Sequence, residues 1–289
     1  MEKQKIMFFA DASADAPVGF WEENKNIVEF IGLRVAMDGE DGWYDGKGKQ
    51  EDFDEFYKKI RAGGVAKTSL VTYEDAHAAF KSYFEQGYDI MHFGLSSGLA
   101  HTYKNANDAG SDLAKEFGRR FYCPDALLMS SQNYMMLKKS IDMHKDGKNF
   151  DEISKELDEY YPLSRAFFTV DDLKYLRRGG RISTLQKMIG SILDVKPILT
   201  TKEGKIIPLT KKKGRRASIA FIASMIEGRN KEHKLACVMH ADCLPDAEEM
   251  KAKILEIKPD TEVELINVGH IIGSHSGPGT LGLVFTNGG

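Results

Sequence analysis

Two hydroxyl-bearing corners carry the chemistry most open to this sequence. Residues 95–103 read Leu-Ser-Ser-Gly-Leu-Ala-His-Thr-Tyr, so Ser96 and Ser97 follow an apolar run and precede a helical pattern. In open α/β sheets the carboxyl edge of the strands is where ligands bind, and free amides with the helix dipole favour an anionic group there. Thr68 and Ser69, on an earlier connector, can converge on the same edge. Hydroxyls at two corners suit a carboxylate, because each donates a hydrogen bond without burying a full positive charge. Helix capping is the commoner use of such residues and competes with this reading. A serine nucleophile, with Ser96 or Ser97 acting on a lipid ester, is the alternative chemistry, but no order of His and Asp partners can be assigned to either residue from the sequence.

Near the chain end, Gly269, Gly273, Gly277 and Gly279 with Pro278 predict an irregular loop in which backbone, as at Gly277, can approach a ligand closely, with His275 as a donor to an anion. His270 and His275 lack the i,i+4 spacing of helical metal ligands, so no metal is expected. No Walker A sequence occurs, and no nucleotide cofactor is expected either.

Charge is unevenly spread along a chain of 289 residues with net charge −3. Between residues 174 and 216, thirteen Lys and Arg face only Asp194 and Glu203. Arg178, Arg181, Lys211, Lys212, Arg215 and Arg216 belong to this basic stretch, which suits docking of an acidic partner or steering of an anion. A nucleic-acid-binding regulator is a further alternative, without interleaved aromatic residues or a recognisable helix-turn-helix to support it. Cys123, Cys237 and Cys243 are scattered and odd in number, which predicts no disulfide framework and a reducing, cytoplasmic setting. Asp11 ends the first apolar run too early for a signal peptide, and no stretch approaches a membrane span.

The elements that must position these residues alternate between strand and helix in the first half. Strands are predicted at 6–10, 27–37, 89–95 and 120–129, with a small hairpin around the glycines of 38–48. Helices are predicted from 53 to 60, from 73 to 86 with Thr72 as N-cap, from the 96–99 corner to about 117, and over 134–144 and 150–160. Such alternation implies crossover connections and a mostly parallel, doubly wound sheet. Beyond Pro162 the rhythm becomes α+β with antiparallel pairing. A short strand at 167–169, a helix at 171–175, a basic glycine-rich loop at 177–181 and a helix at 184–193 come first. A hairpin over 197–209 with Gly204 in its turn follows, then helices at 217–225 and 247–257 and strands at 235–239, 263–267 and 280–285. The predicted fold is therefore α/β in two domains, residues 1–162 and 163–289.

Taken in order, several segments resemble the DegV family along nearly the whole chain. They are Ala10-Asp11-Ala-Ser13-Ala-Asp15, Tyr44-Asp45-Gly46, Thr68-Ser69, Ser96-Ser97-Gly98-Leu99 with Thr102-Tyr103, Gly179-Gly180-Arg181-Ile182, Lys196-Pro197-Ile198, and Ile272-Gly273 through His275 to Gly277-Pro278-Gly279. The resemblance implies a non-catalytic carrier that holds a fatty acid in a tunnel between two domains. It implies that Thr68 and Ser96 bond the carboxylate, that Ser69 and Ser97 support them, and that Arg181 and His275 line the head-group end. It further implies a separate ATP-using fatty acid kinase subunit as partner, for which the basic residues would be the dock. The sequence departs from many members at Leu70-Val71, where they have Gln-Pro, and at Ala100-His101, which sets an imidazole near the tunnel mouth.

Overall fold

The computed structural model describes residues 4–44, 47–181 and 195–288. The helix expected over 184–193 lies outside the described residues, as do Asp45, Gly46 and Ile182. Four parallel strands form the first sheet, in the order β2 (Val28–Ile31), β1 (Ile6–Asp11), β6 (Asp89–Phe93), β7 (Phe121–Tyr122). Every residue of β1 is buried, as a parallel strand covered on both faces requires. Phe8 and Phe9 show which helices cover them, since neighbouring side chains on a strand point to opposite faces. Phe9 meets Phe80 of α3 (Tyr73–Glu85) edge to face at 4.9 Å, and Phe8 meets His144 of α5 (Ser131–Lys145) at 5.8 Å. The sheet is thus wound on both sides, with α4 (Thr102–Phe117) packed beside α3.

The second sheet has six strands, in the order β10 (Lys205–Lys213), β9 (Val195–Lys202), β8 (Ser164–Thr169), β13 (Leu281–Thr286), β11 (Leu235–His240), β12 (Glu262–Asn267). Pairing is antiparallel as the sequence predicts, except that β11 and β12 run parallel across the crossover helix α9 (Leu244–Ile257). Glu203 and Gly204 both take positive φ, 50° and 71°, in the two-residue turn of the β9–β10 hairpin. Such a turn matches the right-handed twist of its strands. Helix α5 lies between the sheets, touching β1 and β6 on one side and β8 and β13 on the other. Its mixed sequence still buries eleven residues, from Ser131 to His144, because sheets flank it on two sides, while Lys138, Asp142 and Lys145 keep a narrow face in solvent. One apolar cluster therefore runs from Phe8 and Tyr134 through Met239, Val268 and Ile271.

Several elements differ from the sequence expectation. The single strand expected over 27–37 divides at Gly32: β2 joins the parallel sheet, while β3 (Leu33–Met37) pairs with β4 (Glu40–Tyr44) and β5 (Ala66–Thr68) in a small antiparallel sheet. Only Phe121 and Tyr122 of 120–129 are strand; the rest runs irregularly, with Leu127 and Ser130 at positive φ. The short helix α7 is shifted to Lys174–Arg178 and absorbs the start of the basic loop. The segment 269–279 is not a loop throughout, since it contains α10 (His270–Ser276). Gly273 serves packing there: a Cβ on it would stand 2.4 Å from the Tyr57 hydroxyl of α2 (Gln50–Arg61). Among the described residues no helix is long and apolar enough to cross a membrane.

Candidate functional site

Between the two larger sheets lies a cavity of about 430 Å³, within the range of small-molecule sites. Its body is apolar, with Leu95, Leu99, Met129, Phe168, Met239 and Ile271 among its walls. Both halves of the chain supply that surface, because β6 and the corner after it face the inner side of the mixed sheet. Polar groups gather where β5 and α10 meet. Thr68 ends β5, and its Oγ1 lies 2.8 Å from Nε2 of His275. Burial, with the Arg181 charge beside it, pushes the His275 imidazole down to about 4, so it is neutral at ordinary pH. A neutral imidazole can donate from one nitrogen while accepting at the other. Arg181 donates from Nη2 to the Leu99 carbonyl at 3.1 Å and from Nη1 to the Gly179 carbonyl. Its guanidinium therefore stands at the cavity held by backbone oxygens, without a carboxylate to neutralise it among the described residues.

Thr68, Ser69, Ser97, Arg181 and His275 all line the cavity, so the structure brings together residues that lie up to 207 positions apart. Ser69 continues the β3–β5 ladder, its N–H donating to the Arg34 carbonyl and its Oγ accepting from the Arg34 N–H, each at 2.9 Å. Ser97 donates from Oγ to the Asp125 carboxylate, which also receives the Ser97 N–H at 3.2 Å.

Ser96 and Gly277 are placed differently from expectation. Ser96 is 2% exposed and does not line the cavity. Its hydroxyl donates to the Gly204 carbonyl at 3.1 Å and accepts the Gly98 N–H at 3.1 Å. With its one proton given to Gly204, Ser96 latches the corner to the β9–β10 turn instead of offering a donor to a carboxylate. Gly277 also lies outside the lining, and its φ of 78° and the Tyr175 ring, 2.1 Å from any added Cβ, account for the glycine. Neither Ser96 nor Ser97 hydrogen-bonds a histidine among the described residues, so the nucleophile reading lacks its base.

Two buried acids, Asp11 and Asp15, were not singled out as site residues, although the Ala10–Asp15 segment drew notice. Asp11 lines the cavity and accepts the Leu95 N–H at 2.9 Å together with the N–H and hydroxyl of Ser13. Asp15 accepts the Gly269 N–H, at the start of α10, at 2.8 Å, and the hydroxyl of Ser130 at the start of α5. Burial raises both, Asp15 to about 7. Two aspartates closely spaced after an apolar strand were the available signal, since a short strand leading straight into acids sets them at the sheet's carboxyl edge.

Of the basic residues, Lys211 and Lys212 lie on the edge strand β10, with the Lys212 ammonium 4.1 Å from the Phe221 ring centroid. Arg178 ends α7 and Arg216 lies in the first turn of α8 (Arg215–Ser224), both exposed. Arg215 instead pairs internally with Asp246 at 2.8 Å and Asp171 at 3.5 Å.

The family model described as "Uncharacterised protein, DegV family" matches residues 5–287. A DegV domain-containing protein of Clostridium perfringens is 31% identical over 292 residues, 98% of this chain and 97% of the relative. A fatty acid-binding protein of Thermotoga maritima is 31% identical over 289 residues, 96% of each chain. The crystal structure of DegV, a fatty acid binding protein from Bacillus subtilis, has a TM-score of 0.82 at 27% identity, covering 99% of this chain and 100% of that one. Matches of this extent, with the same α/β architecture, place the chain in the DegV family.

Proposed function

We propose that this protein is a non-catalytic fatty-acid carrier, with residues 1–162 and 163–289 as its two domains and the tail held between them. The observation that carries this reading is an apolar cavity bordered at one end by a hydroxyl, a neutral imidazole and a guanidinium. Each methylene buried contributes roughly 0.8 kcal/mol, so a long chain is held tightly with few polar contacts. Thr68, His275 and Arg181 supply the carboxylate contacts, and Ser69 and Ser97 border them. The likeness to proteins named for fatty acid binding in Thermotoga maritima and Bacillus subtilis supports the same ligand class.

In the fuller form of the proposal, the carrier works in the cytoplasm and presents the carboxylate to a separate ATP-using kinase subunit that forms an acyl phosphate. Arg178, Lys211, Lys212 and Arg216 supply the docking surface, while the internal pairs of Arg215 leave it the least available of the basic group. Mass spectrometry of lipid extracted from purified protein tests the ligand class. A fatty acid in near-stoichiometric amount is expected, and an absence of acyl lipid together with no binding of added fatty acid defeats the reading.

A further inference from the structure

The two ends of the inter-sheet cavity differ in polarity. Thr68, His275 and Arg181 bring hydrogen-bond donors to one end. Six residues before His275, Gly269 at the start of α10 donates its N–H to Asp15. At 1.5 Å of rise per residue, α10 therefore sets a second polar group about 9 Å from the first. Ser130 and Asp11 line the cavity beside Asp15. Ser130 gives its one proton to Asp15 and keeps its oxygen as an acceptor, 3.1 Å from the thioether sulfur of Met239, another wall residue. Asp11 receives the Ser13 N–H and hydroxyl on one oxygen and the Leu95 N–H on the other, so it too meets the cavity as an acceptor with a lone pair to spare. Thr280 spends its proton on the Ser276 and Gly277 carbonyls, at 3.0 and 2.8 Å, and adds a third acceptor. Ser276 lines the cavity as well, is 5% exposed, and its hydroxyl has no hydrogen-bond partner among the described residues. An unsubstituted tail leaves that hydroxyl buried and unpaired, with the desolvation penalty this carries. Fastening α10 accounts for Asp15 and the Ser130 proton, but not for the remaining acceptors or for Ser276.

We propose that this second polar wall recognises a hydroxyl group carried partway along the acyl tail, so that the cavity prefers hydroxylated fatty acids to unsubstituted ones. The inference rests on the fatty-acid reading above and adds Asp11, Ser130 and Ser276 as specificity residues. A secondary hydroxyl meets both demands of the wall, donating to the Ser130 oxygen or the Asp11 carboxylate and accepting from Ser276. A ketone or an epoxide only accepts, and leaves the wall's own acceptors unpaired. Each carbon of an extended chain advances roughly 1.3 Å, so a separation of about 9 Å places the hydroxyl roughly seven to ten carbons from the carboxyl once bends in the tail are allowed for.

The probes are stearate, 10-hydroxystearate, 10-oxostearate and 2-hydroxystearate, whose affinities for the delipidated protein are read by calorimetry. The wild-type chain is expected to bind 10-hydroxystearate about fivefold or more tightly than stearate, while the 10-oxo and 2-hydroxy acids gain less than about twofold. Glycine suits the φ of 53° at position 130, so Ser130→Gly is expected to fold and to reduce the 10-hydroxy preference to less than about twofold. Ser276→Ala, which removes no side-chain hydrogen bond among the described residues, is expected to lower that preference at least about twofold. A 10-hydroxy acid bound no more tightly than stearate overturns the hydroxyl site and leaves the fatty-acid reading intact. Equal gain by the 10-oxo acid overturns the acceptor wall as its basis, and equal gain by the 2-hydroxy acid overturns its position. A preference unchanged in both variants overturns the residues assigned. Failure of the wild type to bind any of the four acids overturns the fatty-acid reading and the site with it.

Discussion

Two of the tethers between the cavity walls use opposite chemistry. At the Ser96 corner the tether is neutral: a hydroxyl donates to the Gly204 carbonyl at 3.1 Å, and no group in it titrates. At α10 the tether is a buried carboxylate, Asp15, which gathers the Gly269 N–H and the Ser130 hydroxyl. A neutral contact keeps its strength across the pH range, whereas an ionisable one ties the closure of the site to proton concentration. Cavity-lining Thr68 and His275 form a pair that neither of these tethers includes, so stability and affinity are expected to respond to different residues.

Breaking the neutral tether should have the largest effect. Gly204→Ala places a Cβ 2.2 Å from the Ser96 Oγ at a φ of 71°, and a loss of about 3 kcal/mol in denaturant unfolding is expected. The carboxylate tether is separated from it by pH. Asp15 titrates at about 7 in the folded chain against an ordinary 3.8, so its contribution is complete below pH 3.8 and is lost as pH rises through about 7. Asp15→Asn should flatten that decline, differing from wild type on the order of 2 kcal/mol between acid and alkaline pH, as unfolding curves would register. A parallel decline in both proteins would show that Asp15 does not govern it. Thr68→Ala is expected to weaken fatty acid binding about tenfold in a displacement assay while unfolding stability shifts by less than about 1 kcal/mol. Ser97→Ala should matter least, less than about threefold in affinity, since its hydroxyl already serves Asp125 on an exposed surface.

Much of the architecture was legible because local signals agreed with it. Thr72 caps α3 by accepting the Asp75 N–H, as its place before an acidic first turn predicted. Gly204 sits in the predicted hairpin turn, and the alternation of strands and helices before residue 162 yields the parallel sheet. Elements failed to show where local composition pointed away from their tertiary setting. Glycines at 269–279 signalled a loop, yet Gly273 is there to let α10 approach Tyr57, a contact 216 positions away that no local pattern contains. The run at 120–129 has strand composition, but β7 ends after two residues and the chain turns away to enter α5.

The candidate site was legible by residue type and less so by direction. Thr68, Ser69, Ser97, Arg181 and His275 line one cavity. Ser96 does not join them, because which way a hydroxyl points at a corner depends on the acceptor opposite, here a carbonyl 108 residues later. Asp11 and Asp15 escaped notice as site residues because acids in a polar loop look solvated until the second sheet closes over them.

Helix α5, wedged between the two sheets, sets a cost on moving them apart. Parting the sheets would uncover the side of α5 that meets β8 and β13, exposing part of its buried face to water. On the fatty-acid reading proposed above, this cost favours lengthwise passage of a tail over a hinged opening of the sheets.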